Sequence, residues 1–191
     1  MATQDSRIKL KRSTVNSTVP TVPSSNDHTD GTWIATDIYK GELFYNQADG
    51  VLWTRGDSGI ECIQGTAKLT IATADVLQLN TTPIEIVAAP GAGYAIEVLS
   101  ASFKMVYVTT QYATNFNIQI LTSGANTQQL EIDALNASVT TNRTFEKSFT
   151  NAPTATQLLE NAAVNVTVET GDPTAGDSDI TIYVTYRIIT L

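Results

Sequence analysis

The sequence predicts an all-β fold: an antiparallel, jelly-roll-like β-sandwich preceded by an extended N-terminal arm and a β-hairpin. Three observations predict it. Only 16% of the 191 residues are charged, below the usual quarter or so, and the missing charge is replaced by Thr, Asn, Gln and Ser, of which Thr favours strands. Apolar and polar residues alternate with period two in several runs, such as Phe116, Ile118 and Ile120 against Asn117 and Gln119, as strands with one buried and one wet face require. Clusters of turn-forming residues separate these runs at short intervals.

The chain opens on an arm. Arg7-Ile8-Lys9-Leu10-Lys11 alternates as an extended edge strand would, and Val15, Val19 and Val22 follow as scattered apolar anchors among Pro20, Pro23 and the turn-rich stretch 24–31. Such a segment is ordered only against something else. It is either a loose tail or an arm that pairs with a neighbour by strand addition. The hairpin comes next, over 41–55, where two short apolar and aromatic runs flank Asp49-Gly50, a pair that supplies the positive φ of a tight turn. Period two puts Leu43 and Tyr45 on one face of its first strand, and Val51 and Trp53 on one face of its second. A hairpin alone is marginal in water, so its aromatics must pack on the body or on another subunit. The arm and hairpin occupy 1–64, and a β-sandwich domain occupies 65–191.

Within the sandwich the pattern places strands at 68–72, 84–87, 94–108, 115–121, 129–133, 144–149, 164–169 and 179–189. The long run 94–108 is expected to bend at Ser100-Ala101-Ser102 and serve both sheets. One short helix is expected at 155–161, after Pro153. About eight strands in two sheets is jelly-roll-like. The outward positions are Thr, Gln, Asn and Ser rather than Lys and Glu, which fits a protein packed against copies of itself or against other proteins.

Charge and cysteine usage narrow the partners. The net charge is −8, yet residues 1–12 hold Arg7, Lys9, Lys11 and Arg12 against Asp5, a net of +3. The rest carries seven basic and eighteen acidic groups, a net of −11. A basic arm without interleaved aromatics on an acidic body argues against nucleic acid and for a docking arm. No apolar run reaches the 18 residues or so of a membrane span, and no signal peptide opens the chain. The single cysteine, Cys62, excludes an intrachain disulfide and reads as a small buried side chain between Ile60 and Ile63.

Catalytic chemistry is poorly represented. His28 is the only histidine, in a polar turn far in sequence from Cys62, and no nucleophile elbow, P-loop or dinucleotide fingerprint occurs. Pro90-Gly91-Ala92-Gly93 precedes a strand rather than a helix, so it is a turn and not a phosphate cradle. Two carboxylate pairs have the residue types for glycoside hydrolysis: Glu85 with Glu97, on strands expected to be neighbours, and Glu131 with Asp133, on one strand face. Asp172, Asp177 and Asp179 share a loop that lacks the spacing of a calcium loop, and a hairpin loop with solvated aspartates is the simpler reading. No enzyme activity, cofactor or metal is expected.

Two segments carry a resemblance. Ile8-Lys9-Leu10-Lys11-Arg12-Ser13-Thr14, then Val19-Pro20-Thr21, then Gly41-Glu42-Leu43 with Asn46, Asp49-Gly50, Leu52-Trp53 and Arg55, resembles the N-terminal attachment module of tailed-bacteriophage virion proteins. Residues 24–39 look like an insertion into that module. Gly93–Ser102, with the ending from Thr174 to Ile188, is similar to the β-sandwich of small phage structural proteins. The resemblance implies a virion location, a head fibre or capsid decoration protein, and attachment through Ile8, Leu10, Arg12, Leu43, Tyr45, Leu52 and Trp53. It also implies a homotrimer docked on other virion proteins such as the major capsid protein. A short tail fibre or tail adaptor is the alternative. A third reading is a carbohydrate-binding module for host-surface glycans, with Tyr107, Tyr112 and Trp33 as stacking faces.

Overall fold

The computed structural model describes residues 10–27, 29–57, 59–115, 117–122, 128–133, 135, 141–148 and 158–191. The expected all-β class holds: the described residues form eleven strands and one four-residue helix. The chain divides into two compact units, Met1–Gln64 and Gly65–Leu191.

In the first unit, β1 (Lys11–Ser13), β2 (Leu43–Asn46), β3 (Val51–Arg55) and the start of β4 (Ile60–Ile71) lie in that order. β2 and β3 form the expected hairpin, with Phe44 opposite Trp53 and Asn46 opposite Val51. Its connection is a four-residue turn, 47–50, rather than a two-residue one; Gly50 supplies the left-handed residue at φ 68°, a conformation that is cheap only without a Cβ. β1 runs parallel to β2, with Lys11, Arg12 and Ser13 opposite Phe44, Tyr45 and Asn46. The described part of the arm therefore pairs with its own hairpin, where sequence alone left a loose tail and a neighbour's sheet open. Ile8 and His28 lie outside the described residues.

In the second unit, two antiparallel sheets make the sandwich. One has the order β4, β11 (Ile180–Thr190), β6 (Tyr94–Met105), β9 (Arg143–Ser148). The other has the order β5 (Ile84–Val87), β10 (Val164–Val168), β7 (Asn117–Thr122), β8 (Gln128–Asp133). The pairs are nested: β4 with β11, β5 with β10, β6 with β9 and β7 with β8. The period-two side chains supply the core. Ile180, Ile182, Val184 and Tyr186 of β11 are buried, as are Ile118 and Ile120 of β7 and Val164, Val166 and Val168 of β10. Each such burial contributes about 1.5–3 kcal/mol before conformational entropy is charged against it.

Three expectations are corrected. β6 does not bend between sheets; it pairs with β11 along its whole length and with β9 from Ser100 to Met105. What looked like a bend is a bulge, because Tyr186 pairs with Val98 while Thr185 pairs with Ser100, leaving Leu99 as the extra residue. The bulge shifts the alternation by one, so Ile96 and Val98 before it and Ala101, Phe103 and Met105 after it are all buried. Of the helix expected at 155–161, residues 155–157 lie outside the described residues, and 158–161 are irregular with a bridge from Glu160 to Ala95. Helix α1 instead spans Thr73–Val76. Its Val76 and the following Leu79 are fully buried, and the Thr167 hydroxyl donates to the Leu79 carbonyl at 3.0 Å, so this segment covers β10. Finally, Cys62 is half-buried and its neighbour Ile63 is 47% exposed, so the thiol is not a core residue.

Candidate functional site

The first unit separates holding residues from presented ones by strand parity. On the inner face, Phe44, Val51 and Trp53 are at most 2% exposed. Polar groups finish the packing. The buried Asn46 amide donates to the carbonyls of Val15 and Thr18, both at 3.1 Å, and to Asp49 Oδ2 at 2.5 Å, while its oxygen accepts the Ala48 N–H at 3.0 Å. Asp49 also accepts the Ser17 N–H at 2.6 Å. Asn46 and Asp49 thus tie the loop after β1 to the hairpin turn. Lys11, on the same face, donates to the Asp37 carbonyl at 2.5 Å, lies 3.3 Å from Glu42, and sits 5.7 Å and 5.6 Å from the ring centres of Trp33 and Tyr39. The Asp37 carboxylate accepts the Thr21 hydroxyl at 2.6 Å and the Ile34 N–H at 2.9 Å; those hydrogen bonds, the Thr21 one first, hold its pKa below the ordinary value. Part of the motif singled out in the sequence is accounted for here: Glu42, Asn46, Asp49, Gly50 and Trp53 build this unit.

The outer face holds the residues that alternate with these. Arg12, Tyr45 and Leu52 form one cross-strand row, and Leu43 lies opposite Thr54 in the next. Leu10 is 44% exposed and Tyr45 is 37% exposed, Arg12 is exposed, and Leu43 and Leu52 are half-buried. Leu10, Arg12, Tyr45 and Gln47 line an open concavity of about 660 Å³. Five of the seven attachment residues named from sequence therefore share one accessible face. Trp53 does not: it points to the other side and is 2% exposed, because its partner across the hairpin is Phe44 rather than Tyr45. Its indole is a packing group of the unit.

The second unit spends its loop carboxylates on internal hydrogen bonds. Asp172 accepts the N–H groups of Asn80 at 2.8 Å and Thr81 at 3.0 Å, and the Thr81 hydroxyl at 2.9 Å. Asp177 accepts the Thr109 hydroxyl at 2.5 Å and the N–H groups of Thr109 and Thr110 at 3.1 and 3.0 Å. Asp179 accepts the Thr73 N–H at 2.9 Å. Three different segments are anchored, and among the described residues no group of three potential metal ligands comes together. Glu85 and Glu97 lie on β5 and β6, in different sheets, and Glu97 pairs with Arg187, so they are not the neighbours expected. The side chains of Glu131 and Asp133 lie outside the described residues.

Of the proposed stacking aromatics, Tyr112 is 2% exposed, its hydroxyl donating to the Ser178 carbonyl at 2.5 Å. Tyr107 is half-buried and donates to the Thr109 carbonyl. Trp33 is 49% exposed. Sequence reasoning missed Tyr183, 44% exposed on β11 with the Lys68 ammonium 5.6 Å from its ring centre. Its odd position against the buried Ile182 and Val184 is the signal that points it outward.

No family model and no curated protein matches the chain. Among solved structures, it is similar to a chain of the Cyanophage Pam1 capsid asymmetric unit, with 13% identity and a TM-score of 0.41 over 65% of this chain and 84% of that one. A likeness so slight carries no weight for function.

Proposed function

We propose that this chain is a non-enzymatic structural protein of a tailed-phage particle, a head fibre or capsid decoration protein that docks through residues 1–64. The observation that carries the reading is the outer face of β1, β2 and β3. It gathers Leu10, Arg12, Leu43 and Leu52, which belong to the motif that resembles phage attachment modules, together with Tyr45 between them, while Glu42, Asn46, Asp49 and Trp53 of the same motif hold the unit together. Apolar side chains left accessible beside each other mark an interaction surface. In the second unit the nested strand pairing supports a jelly-roll reading, an architecture used by capsid and lectin domains, although fold alone does not decide function. Its Thr- and Ser-rich outer positions, such as Thr70 against Thr181, fit contacts between copies in a homotrimer. A short tail fibre or adaptor would use the same docking face.

The test is incorporation into particles. Quantitative mass spectrometry of purified virions is expected to find hundreds of copies for capsid decoration, and a few dozen or fewer for the tail or a few vertices. The full chain with Tyr45→Glu and Leu52→Glu is expected to stay folded and drop out of the particles. Absence of the wild-type chain from virions overturns the reading. Glycan binding is the second reading, favoured by the exposed rings of Trp33 and Tyr183, and a sugar array with Tyr183→Ala separates it.

A further inference from the structure

The docking face has a charge pattern that specifies its partner more closely. Its side chains are Leu10, Arg12, Leu43, Tyr45, Leu52 and Thr54, with Gln47 at its rim. Asp37 and Glu42 are engaged on the inner side, and Glu61, exposed on β4 beyond β3, holds its carboxylate beside Gly56, at the end of this unit's strand order opposite β1. On a chain of net charge −8, the concavity lined by Leu10, Arg12, Tyr45 and Gln47 holds one cation and no carboxylate among the described residues. Among the described residues, no hydrogen bond or ion pair engages the Arg12 guanidinium. By contrast, its neighbours in charge, Lys11 and Arg55, are both used internally.

The backbone points the same way. β1 is the outermost strand of its sheet among the described residues. The Ser13 carbonyl accepts the Gln47 N–H at 2.8 Å, so Ser13 turns its backbone groups toward β2. Consecutive residues of a parallel strand alternate sides, which turns the N–H and C=O of Arg12 toward the free edge. An extended segment laid along that edge would gain backbone hydrogen bonds. Its side chains would meet the concavity between Leu10 and Tyr45, with the guanidinium fork of Arg12 beside them.

We infer that this face captures an extended, acidic segment of a partner protein, one carboxylate of which is held by Arg12 with flanking apolar residues on Leu10 and Tyr45. The inference rests on the docking reading and names the chemistry of its partner. An arginine is suited to this because it holds a carboxylate bidentately, while the net negative charge elsewhere on the chain repels acidic segments that approach any other face.

The test uses the full-length protein and three blocked seven-residue peptides that alternate valine with glutamate, glutamine or lysine. Binding is followed through the backbone amide signals of Arg12, Tyr45 and Leu52. The glutamate peptide is expected to bind saturably, about tenfold tighter than the glutamine peptide, with the lysine peptide weaker still and the preference shrinking as salt is raised. Arg12→Glu is expected to abolish the preference, Arg12→Lys to keep part of it, and Lys104→Glu, an exposed change in the second unit, to leave it intact. Equal binding of the three peptides, no saturable binding, or a preference that survives Arg12→Glu overturns the inference. The two readings fail separately. If Tyr45→Glu with Leu52→Glu excludes the chain from particles but the peptides are not discriminated, only the acidic partner is wrong. If the peptides are discriminated but virions lack the chain, only the phage docking reading is wrong.

Discussion

The ring of Tyr186 occupies the space that a side chain on Gly65 would need. The two residues are directly opposite in the β4–β11 ladder, and a Cβ built on Gly65 would overlap three ring carbons of Tyr186. A glycine inside a strand normally weakens it; here it admits a large aromatic whose burial, at 2% exposure, repays the lost side chain. Tyr186 is also the residue at which β11 shifts register against β6.

Gly65→Ala is therefore expected to destabilise the protein by about 1–3 kcal/mol, the range for overpacking, read as a lower urea midpoint at unchanged slope. In a Tyr186→Ala background the same change is expected to cost little, because the obstruction is gone. The coupling from the double-mutant cycle tests the relationship itself.

The hairpin gives a prediction that separates folding from docking. Trp53 and Tyr45 lie one pairing apart in the β2–β3 ladder, on opposite faces. Trp53→Ala is expected to cost about 3–5 kcal/mol, as large aromatic truncations in a core do. Tyr45→Ala is expected to move stability by about 0.5 kcal/mol or less, as exposed substitutions do, while weakening incorporation into particles. Thermal melts of both variants beside particle binding are the measurement.

How much of this was legible in the sequence follows from what alternation encodes. Period two gave the buried faces of β7 and β11 and the valines of β10, because a strand's buried side chains need no partner to be recognised; it did not give Thr167, on the expected wet face of β10, which is buried where Leu79 covers it. It also paired Leu43 with Tyr45. It did not show which face turned inward, since Trp53 and Tyr45 are equally suited to a core or to a contact. The bulge at Leu99 was hidden for a related reason: the shift in alternation looks the same as a bend until the partner strand is known. Helix α1 was invisible because four residues cannot carry a 3.6-residue period. The roles of Asp172 and Asp177 depend on Thr81 and Thr109, which are distant in sequence, so no local pattern announces them.

Asn46 gives a third prediction. It is 1% exposed and its amide satisfies two carbonyls of the loop after β1. Asn46→Ala takes the amide donor from the Thr18 carbonyl, whereas the Val15 carbonyl keeps the Thr18 hydroxyl at 2.7 Å, and it is expected to cost about 1 kcal/mol, the scale of a lost hydrogen bond. Because the loss detaches the loop from the turn, hydrogen exchange is expected to accelerate at Ser17 more than anywhere in the second unit.

Acid is expected to act through carboxylates that the fold holds in their charged form. Hydrogen bonds from the Thr21 hydroxyl to Asp37, the Thr81 N–H to Asp172 and the Thr109 hydroxyl to Asp177 are the leading causes that lower these pKa values. A group with a lowered folded pKa stabilises the fold above its unfolded value, about 3.9 for Asp, and loses that contribution as pH falls through the folded value. Melting temperature is therefore expected to stay level from neutral pH to about 4 and to fall below it. Asp177→Asn is expected to lower stability at neutral pH and to make the acid limb shallower; an unchanged limb would show that Asp177 does not contribute.

Alkali reaches a different residue with the opposite sign. Burial pushes the Tyr112 phenol up to about 12, the leading cause, while its hydroxyl donates to the Ser178 carbonyl. The folded state keeps that proton after an ordinary tyrosine, near pH 10, has lost it. The contribution is complete below about pH 10 and is lost as pH rises through about 12, because the unfolded chain ionises first. Gly176, at φ 102°, lies against the same ring, where a Cβ would overlap it. Tyr112→Phe keeps the packing on Gly176 but removes the hydroxyl. It is expected to cost about 1 kcal/mol at neutral pH for the lost hydrogen bond and to flatten the alkaline limb of a pH-stability curve. Gly176→Ala is expected to destabilise at every pH, since its effect is steric and backbone strain rather than titration. Phenolate absorbance read alongside unfolding distinguishes the two: a wild-type protein whose tyrosines all ionise near pH 10 while still folded would show that burial does not protect Tyr112.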